Sequence, residues 1–164
     1  MAGTGEIVTR VRFAPMSQSG TVETMIRIVA NAPTYYEFIR TLRNDPRVQP
    51  GFLEVVRITT EQQNAYMAKL GGRYLVCLVD DVPAGYVGSI EGDIRVCTHP
   101  DFQGRGVGAA MIHAIMDLFP ESYARLKPGN TSSRALFKAC GFQRAGEIDG
   151  LHRYLRPSVD GVGD

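Results

Sequence analysis

A six-residue run, Gln103-Gly104-Arg105-Gly106-Val107-Gly108, constrains this chain more than any other stretch. It follows a strand-like segment by a few residues. It also opens an apolar-striped helix, which Met111, Ile112, Ile115, Leu118 and Phe119 carry to about Phe119. Three glycines in five residues are costly in backbone entropy, so they call for a close approach to something. A helix mouth with bare backbone presents N–H groups with no side chain in the way. The aligned peptide dipoles add partial positive charge there. A diphosphate fits such a place.

Other phosphate-binding patterns match less well. Gly104-x-Gly106-x-x-Ala109 resembles a dinucleotide fingerprint, but that pattern needs a strand ending at its first glycine, and His99-Pro100-Asp101-Phe102-Gln103 intervenes. The acidic residue expected ~20 positions further on, at the end of a second strand, is missing. No Gly-Lys-Ser/Thr follows, as a P-loop requires, and the chain has no Asp-Phe-Gly signature of a kinase.

The surrounding chain supplies the frame. Residues 7–13 alternate as a strand with one buried face. Helices are expected over 21–31 and 34–43, divided by Pro33, with Thr34-Tyr35-Tyr36-Glu37 as a capping box. Residues 45–58 carry no clear pattern. Thr60-Glu61-Gln62-Gln63 offers a second capping box, and Gly71-Gly72 stops that helix. Tyr74 to Val79 reads as a central strand buried on both faces. Asp80-Asp81-Val82-Pro83 is a turn, and strands follow over 84–90 and 93–98. Beyond the glycine run come a strand over 122–127, a short helix capped by Asn130-Thr131-Ser132, and strands over 143–148 and 151–156. Hairpins with one parallel crossover make an α/β fold: a mixed, mostly antiparallel sheet of about seven strands with helices on both faces.

At 164 residues the chain is long enough for one domain, and 44% hydrophobic content is enough for a real core. A net charge of +1 gives no global field to draw in nucleic acid or anionic lipid. Arg40, Arg43, Arg47 and Arg57 lie close in sequence and read as a local basic face or, on the plainer reading, as solvated helix and loop charges. Cys77, Cys97 and Cys140 sit among apolar neighbours, which suits buried reduced thiols. His99, His113 and His152 show no metal-ligand spacing, so no metal is expected. His113 and Asp117 lie i,i+4 on the polar side of their helix. With no basic-then-apolar leader and no apolar run of bilayer length, a cytoplasmic protein without membrane contact is expected.

Taken together, Val96-Cys97-Thr98-His99-Pro100, Gln103-x-x-Gly106-x-Gly108, Asn130 and Leu136-Phe137-Lys138-Ala139-Cys140-Gly141-Phe142 resemble the GNAT family of acyl-CoA N-acyltransferases. The resemblance is close over 73–156, and the element order extends it to a single domain over 1–156, with 157–164 as a disordered tail. It implies acetyl-CoA as co-substrate and a primary amine as acceptor. Gln103, Gly106 and Gly108 match the loop that holds the coenzyme A pyrophosphate, with Gly104, Arg105, Val107 and Ala109 as neighbouring backbone. Val96, Cys97 and Thr98 match a strand that pairs with the pantetheine arm and splays from the next strand. Asn130 matches an asparagine near the pantetheine and also reads as a helix N-cap. A homodimer follows by family analogy alone.

Acyl transfer from a thioester needs a proton acceptor for the amine, a donor for the carbonyl oxygen, and an outlet for the thiolate. Backbone N–H groups of 96–98 are candidates for the donor. Glu91 and Asp93, at the start of that strand, are the candidate base, against a reading as solvated turn carboxylates. Phe137 stands where many members carry a tyrosine, so it packs beside the thioester and gives no proton. Tyr35, Tyr36 and Tyr154 are alternative donors, and Cys140 reads as core. The stretch Leu42-Arg43-Asn44-Asp45-Pro46-Arg47-Val48 resembles relatives that acetylate amino-sugar nucleotides or protein N-termini. Arg43 and Arg47 there suit a phosphate or carboxylate. A small amine, first an amino sugar, is the expected acceptor. A macromolecular amine and a non-catalytic acyl-CoA-binding module are the alternatives.

Overall fold

Period-two alternation and unbroken apolar runs account for most of the sheet. The computed structural model describes residues 6–13 and 22–157. Among them eight strands pair side by side: β1 (Ile7–Phe13), β2 (Val22–Ala30), β3 (Tyr74–Val79), β4 (Val82–Ile90), β5 (Asp93–Thr98), β6 (Tyr123–Leu126), β7 (Gln143–Ile148) and β8 (Leu151–Leu155). Their order is β1-β2-β3-β4-β5-β6-β8-β7, and every neighbouring pair is antiparallel except β5 with β6. The helices are α1 (Pro33–Arg43), α2 (Thr60–Leu70), α3 (Val107–Leu118) and α4 (Thr131–Ala139). The mixed, mostly antiparallel sheet with helices on both faces is thus what the chain forms. No described helix is long and apolar enough to cross a membrane. The expected tail falls almost entirely on 158–164, outside the described residues.

Strand β3 is buried along its whole length and divides the core in two. Leu75, Cys77 and Val79 pack on the side of α3, with Met111, Ile112 and Ile115. Tyr74, Val76 and Leu78 pack on the other side, with Ile39 and Leu42 of α1 and Met67 of α2. Ile112 and Ile115 are fully buried, and each such side chain contributes roughly 1.5–3 kcal/mol. All three cysteines are buried and free, as expected. Burial pushes the Cys77 and Cys97 thiols up to about 12, which leaves them protonated and inert near neutrality.

Four local expectations are corrected. The helix expected over 21–31 is strand β2, an eighth strand held between β1 and β3. Thr24, Ile26 and Ile28 point to the core while Met25, Arg27 and Val29 are half-buried, so the period is 2, and two flanking ladders outweigh the helix formers in the segment. Helix α1 begins one step earlier than expected, with Pro33 in its first turn and Ala32 as N-cap, so Thr34 caps nothing and Glu37 pairs with Arg40 instead. The second capping box forms at Thr59 rather than Thr60: its hydroxyl accepts from Gln62 N–H at 3.2 Å, and Gln62 Oε1 accepts from Thr59 N–H at 2.9 Å. Val82 and Pro83 already belong to β4, because the Asp80-Asp81 turn closes on the Val79–Val82 pair and a bulge follows Pro83.

The segment after α1 leaves the sheet and returns to its own starting point. Asn44 Oδ1 accepts from Ile58 N–H and Asn44 Nδ2 donates to Ile58 C=O, both at 2.8 Å. Inside it, Asp45 accepts from Arg47, through its Nη2 at 2.7 Å and its backbone N–H at 2.8 Å. These bonds hold the Asp45 carboxyl down at about 2, below its ordinary value of 3.8. A depressed carboxyl contributes stability above its unfolded pKa and loses it as pH falls through the folded one. Urea midpoints of Asp45→Asn are therefore expected below wild type at about pH 5, and the two proteins converge near pH 2.

Candidate functional site

Strands β5 and β6 meet at one rung. Tyr123 N–H donates to Gly92 C=O at 2.7 Å, and Asp93 stands opposite Tyr123. No further rung joins them, and β6 continues paired to β8 alone. Backbone groups alternate along a strand, so Val96 and Thr98 share the Gly92 side and aim N–H and C=O into the gap. The backbone of Cys97 faces β4 instead, opposite Tyr86. Of the three residues expected to offer N–H donors, Val96 and Thr98 thus face the gap.

On one side of the gap lies a cavity of about 500 Å3, lined by Val96, Cys97, Thr98, Gln103, Gly104 and Gly106. Of the other expected cofactor residues, Val107, Gly108, Ala109 and Asn130 also stand on its wall, whereas Arg105 and Phe137 do not. Gly104 and Gly106 have φ of 77° and 79°, a left-handed conformation that side chains disfavour, and a Cβ on either would meet nothing within 4 Å. Bare backbone therefore faces open space where α3 begins, with Gly106 as its N-cap. The first N–H groups of α3 have no partner within the helix. Gly108 serves packing instead, since a Cβ there would lie 2.9 Å from Leu136 Cδ2 and its absence lets α3 approach α4. Arg105 is not on the wall; its guanidinium sits over the Phe102 ring at 5.6 Å. Asn130 does cap α4, accepting from Ser133 N–H at 3.1 Å, while its Nδ2 reaches Gly51 C=O at 3.4 Å.

Through the gap lies a second cavity, of about 410 Å3. Tyr74 and Tyr86 line it from the sheet, and Phe52, Leu53 and Glu54 from the excursion after α1. Gly88 makes room for this, since a Cβ there would stand 2.6 Å from the Tyr74 ring. Asp93 and Arg95 come from β5, Arg125 from β6, Arg43 from the end of α1, and Phe137 from α4. Asp93 is 4% exposed, and its Oδ2 accepts from Arg125 Nη2 at 2.6 Å and Arg95 Nε at 3.2 Å. Phe137 is buried edge-on to Phe142 with ring centres 5.0 Å apart. Burial drives the Tyr74 and Tyr86 hydroxyls well above their ordinary pKa, and Tyr74 shares a 2.6 Å bond with Tyr66. Both phenols therefore keep their protons near neutrality and can offer hydrogen bonds only.

The two candidate base residues are thus separated by the fold. Asp93 is on the cavity wall, whereas Glu91 sits in the exposed β4–β5 turn at φ 53° and lines neither cavity. Tyr154 and Cys140 are core residues, and Tyr35 and Tyr36 flank the α1 side of the core. His99 caps the single-turn helix Pro100–Phe102, its Nδ1 accepting from Asp101 N–H at 3.1 Å. Arg47 belongs with the first cavity and is held by Asp45; Arg43 belongs with the second. Sequence reasoning missed Arg95, Arg125, Tyr74 and Tyr86. Alternation on β5 and β6 carried the signal: Asp93 and Arg95, Tyr123 and Arg125 fall on one face once the single rung sets the register.

The fold recurs among solved structures. Spermidine N-acetyltransferase from Vibrio cholerae, in complex with CoA and spermine, superposes with a TM-score of 0.68 at 18% identity, covering 79% of this chain and 93% of that one. The yncA protein of Salmonella typhimurium, solved with its cofactor acetyl-CoA, gives 0.65 at 19% identity, over 85% and 98%. A GNAT-family acetyltransferase from Bacillus anthracis gives 0.63 at 18% identity, over 79% and 91%. No curated protein sequence matches the chain. At such identities these likenesses carry the fold alone. Residues 36–142, about two thirds of the chain and inclusive of the glycine run and both cavity-forming strands, match the acetyltransferase (GNAT) family; the chain belongs to that family.

Proposed function

We propose that this chain is an acetyl-CoA-dependent N-acetyltransferase that acylates the primary amine of a small molecule. One observation carries the reading: the cavity at the glycine run and the charged cavity meet at Val96, which lines both at the unpaired edge of β5. Acetyl-CoA supplies an acyl group on a thioester. The backbone around Gly104 and Gly106 is open where a diphosphate would lie, and Val96 and Thr98 offer a strand edge to the pantetheine arm. In this reading the Val96 N–H faces the carbonyl oxygen as it gains charge.

The amine approaches from the side of Asp93. Its nitrogen bonds to the acyl carbon, the C–S bond breaks, and an amide and a free thiol result. Asp93 is the proton acceptor assigned here: both of its arginine bonds fall on Oδ2, which leaves Oδ1 for the incoming ammonium. Phe137 gives no proton, but it walls the gap with a ring that excludes water. Departure without an acid is tolerable for a thiol of pKa ~8.5. An amino sugar is the first acceptor class under this reading. The V. cholerae relative, solved with CoA and spermine, supports a small amine more broadly.

The test is thiol release from acetyl-CoA across a panel of amino sugars, amino acids, polyamines and peptides. Turnover of a small amine is expected, and Asp93→Asn is expected to lower kcat/KM by about 10²-fold or more. Binding of acetyl-CoA without thiol release on any amine would instead favour the non-catalytic module that Phe137 suggests. Preference for peptides would favour a macromolecular acceptor.

A further inference from the structure

We propose that the acceptor carries an anionic oxygen group, a carboxylate or a phosphate, as well as its primary amine, and that Arg43, Arg95 and Arg125 hold that group. The amine half rests on the acetyl-transfer reading; the anion half rests on the cavity itself. Three guanidinium side chains from three separate elements line one space of about 410 Å3. Among the described residues its carboxylates are Asp93 and the exposed Glu54, so this part of the wall is net positive.

Asp93 does not use up these donors. It takes one nitrogen from each of two arginines, Nε of Arg95 and Nη2 of Arg125. A guanidinium has five N–H groups in a planar fork. Both Nη atoms of Arg95, and Nε and Nη1 of Arg125, make no hydrogen bond among the described residues. The side chains of Arg95 and Arg125 remain 41% and 40% exposed, open to the cavity they line. Arg43 makes no ion pair among the described residues; its guanidinium stands 5.9 Å from the centre of the Tyr66 ring. Asp93 thus fixes two forks in place and leaves their free edges, with Arg43, to a second anion. The aromatic surface of Tyr74 and Tyr86 lowers the local dielectric, which strengthens both this attraction and the repulsion of a polycation. A planar fork matches a carboxylate or phosphate with two parallel bonds.

The register also places this anion correctly. Arg95 is the neighbour of Val96, where the two cavities meet, but points to the opposite face of the sheet. A small acceptor therefore spans from the arginines on the α1 side to the gap, with its amine leading.

The experiment pairs acceptors that differ only in the anion: O-phosphoethanolamine with ethanolamine, 4-aminobutyrate with butylamine, and spermidine as a cationic control. Thiol release is measured with the full chain, and each anionic amine is also titrated calorimetrically into the CoA-loaded protein. At least one anionic member is expected to exceed its neutral partner about 10- to 100-fold in kcat/KM, and whichever pair shows the gap identifies carboxylate or phosphate. Arg43→Gln should narrow that gap by raising KM for the anionic member more than for the neutral one, and Arg43→Lys should restore part of it. Equal or better turnover of neutral amines or spermidine overturns the proposal, as does the absence of calorimetric binding by both anions. Anion binding that depends on Arg43, with no thiol released from acetyl-CoA, supports the anion site and sinks the transfer reading instead.

Discussion

Gly106→Asp is expected to lose the thermal stabilisation that acetyl-CoA gives the wild-type chain. A ligand at a hundredfold excess over its dissociation constant adds about 2.7 kcal/mol. For a chain of this size that raises the melting temperature by roughly 5–10 °C. Residue 106 is the left-handed N-cap of α3, and a side chain there points into the open space of the glycine-lined cavity. Aspartate tolerates the left-handed backbone better than most residues, so the fold survives. Its carboxylate then occupies the place where phosphate oxygens would meet the first N–H groups of the helix. Gly106→Ala separates the two effects: it adds backbone strain of about 1–2 kcal/mol without charge, and should keep a weakened shift. A full shift in Gly106→Asp would mean that the diphosphate is held elsewhere.

Phe137→Ala is expected to cost about 3–5 kcal/mol, the largest stability loss of any single change at the site. The side chain is 2% exposed and packs in the core cluster under the sheet, edge-on to Phe142, while one part of the ring reaches the gap. Truncation empties space between α4 and the β5–β6 divergence, which neither helix nor sheet closes without moving. Urea or thermal unfolding measures the loss. Phe137→Tyr keeps the ring and tests chemistry instead. A rise in kcat would show that thiolate departure limits the wild type, and an unchanged kcat that an acid at this position is dispensable.

The legible part of this protein was the part set by local rules. Tyr74 to Val79 could be read as a doubly buried strand because six apolar residues sit between turn signals, and β5 because Glu91-Gly92 marks its start. The glycine run was legible because left-handed backbone at Gly104 and Gly106 admits few other residues. Residues 22–30 were not, since Glu23, Met25 and Arg27 suit a helix and no glycine or proline interrupts them. Their partners, β1 and β3, decide the matter from outside the segment. The arginine-lined cavity lay beyond sequence reasoning for a related reason. Arg43, Arg95 and Arg125 come from elements up to 82 positions apart and meet only after β5 and β6 cross at a single rung.

The amide of Asn44, doubly bonded to Ile58, has a bearing on how such a protein changes its chemistry. Because the loop starts and finishes at the same anchor, residues 53–57 are where its length and sequence are expected to vary, whereas Pro50, Gly51 and Phe52 are tied to Lys127, Asn130 and the α1-side core. Closing a longer loop costs little, about 0.6 kcal/mol per doubling. Engineers wishing to retune selectivity have that short stretch to work with, provided both ends of the staple and the Pro50–Phe52 contacts are left alone.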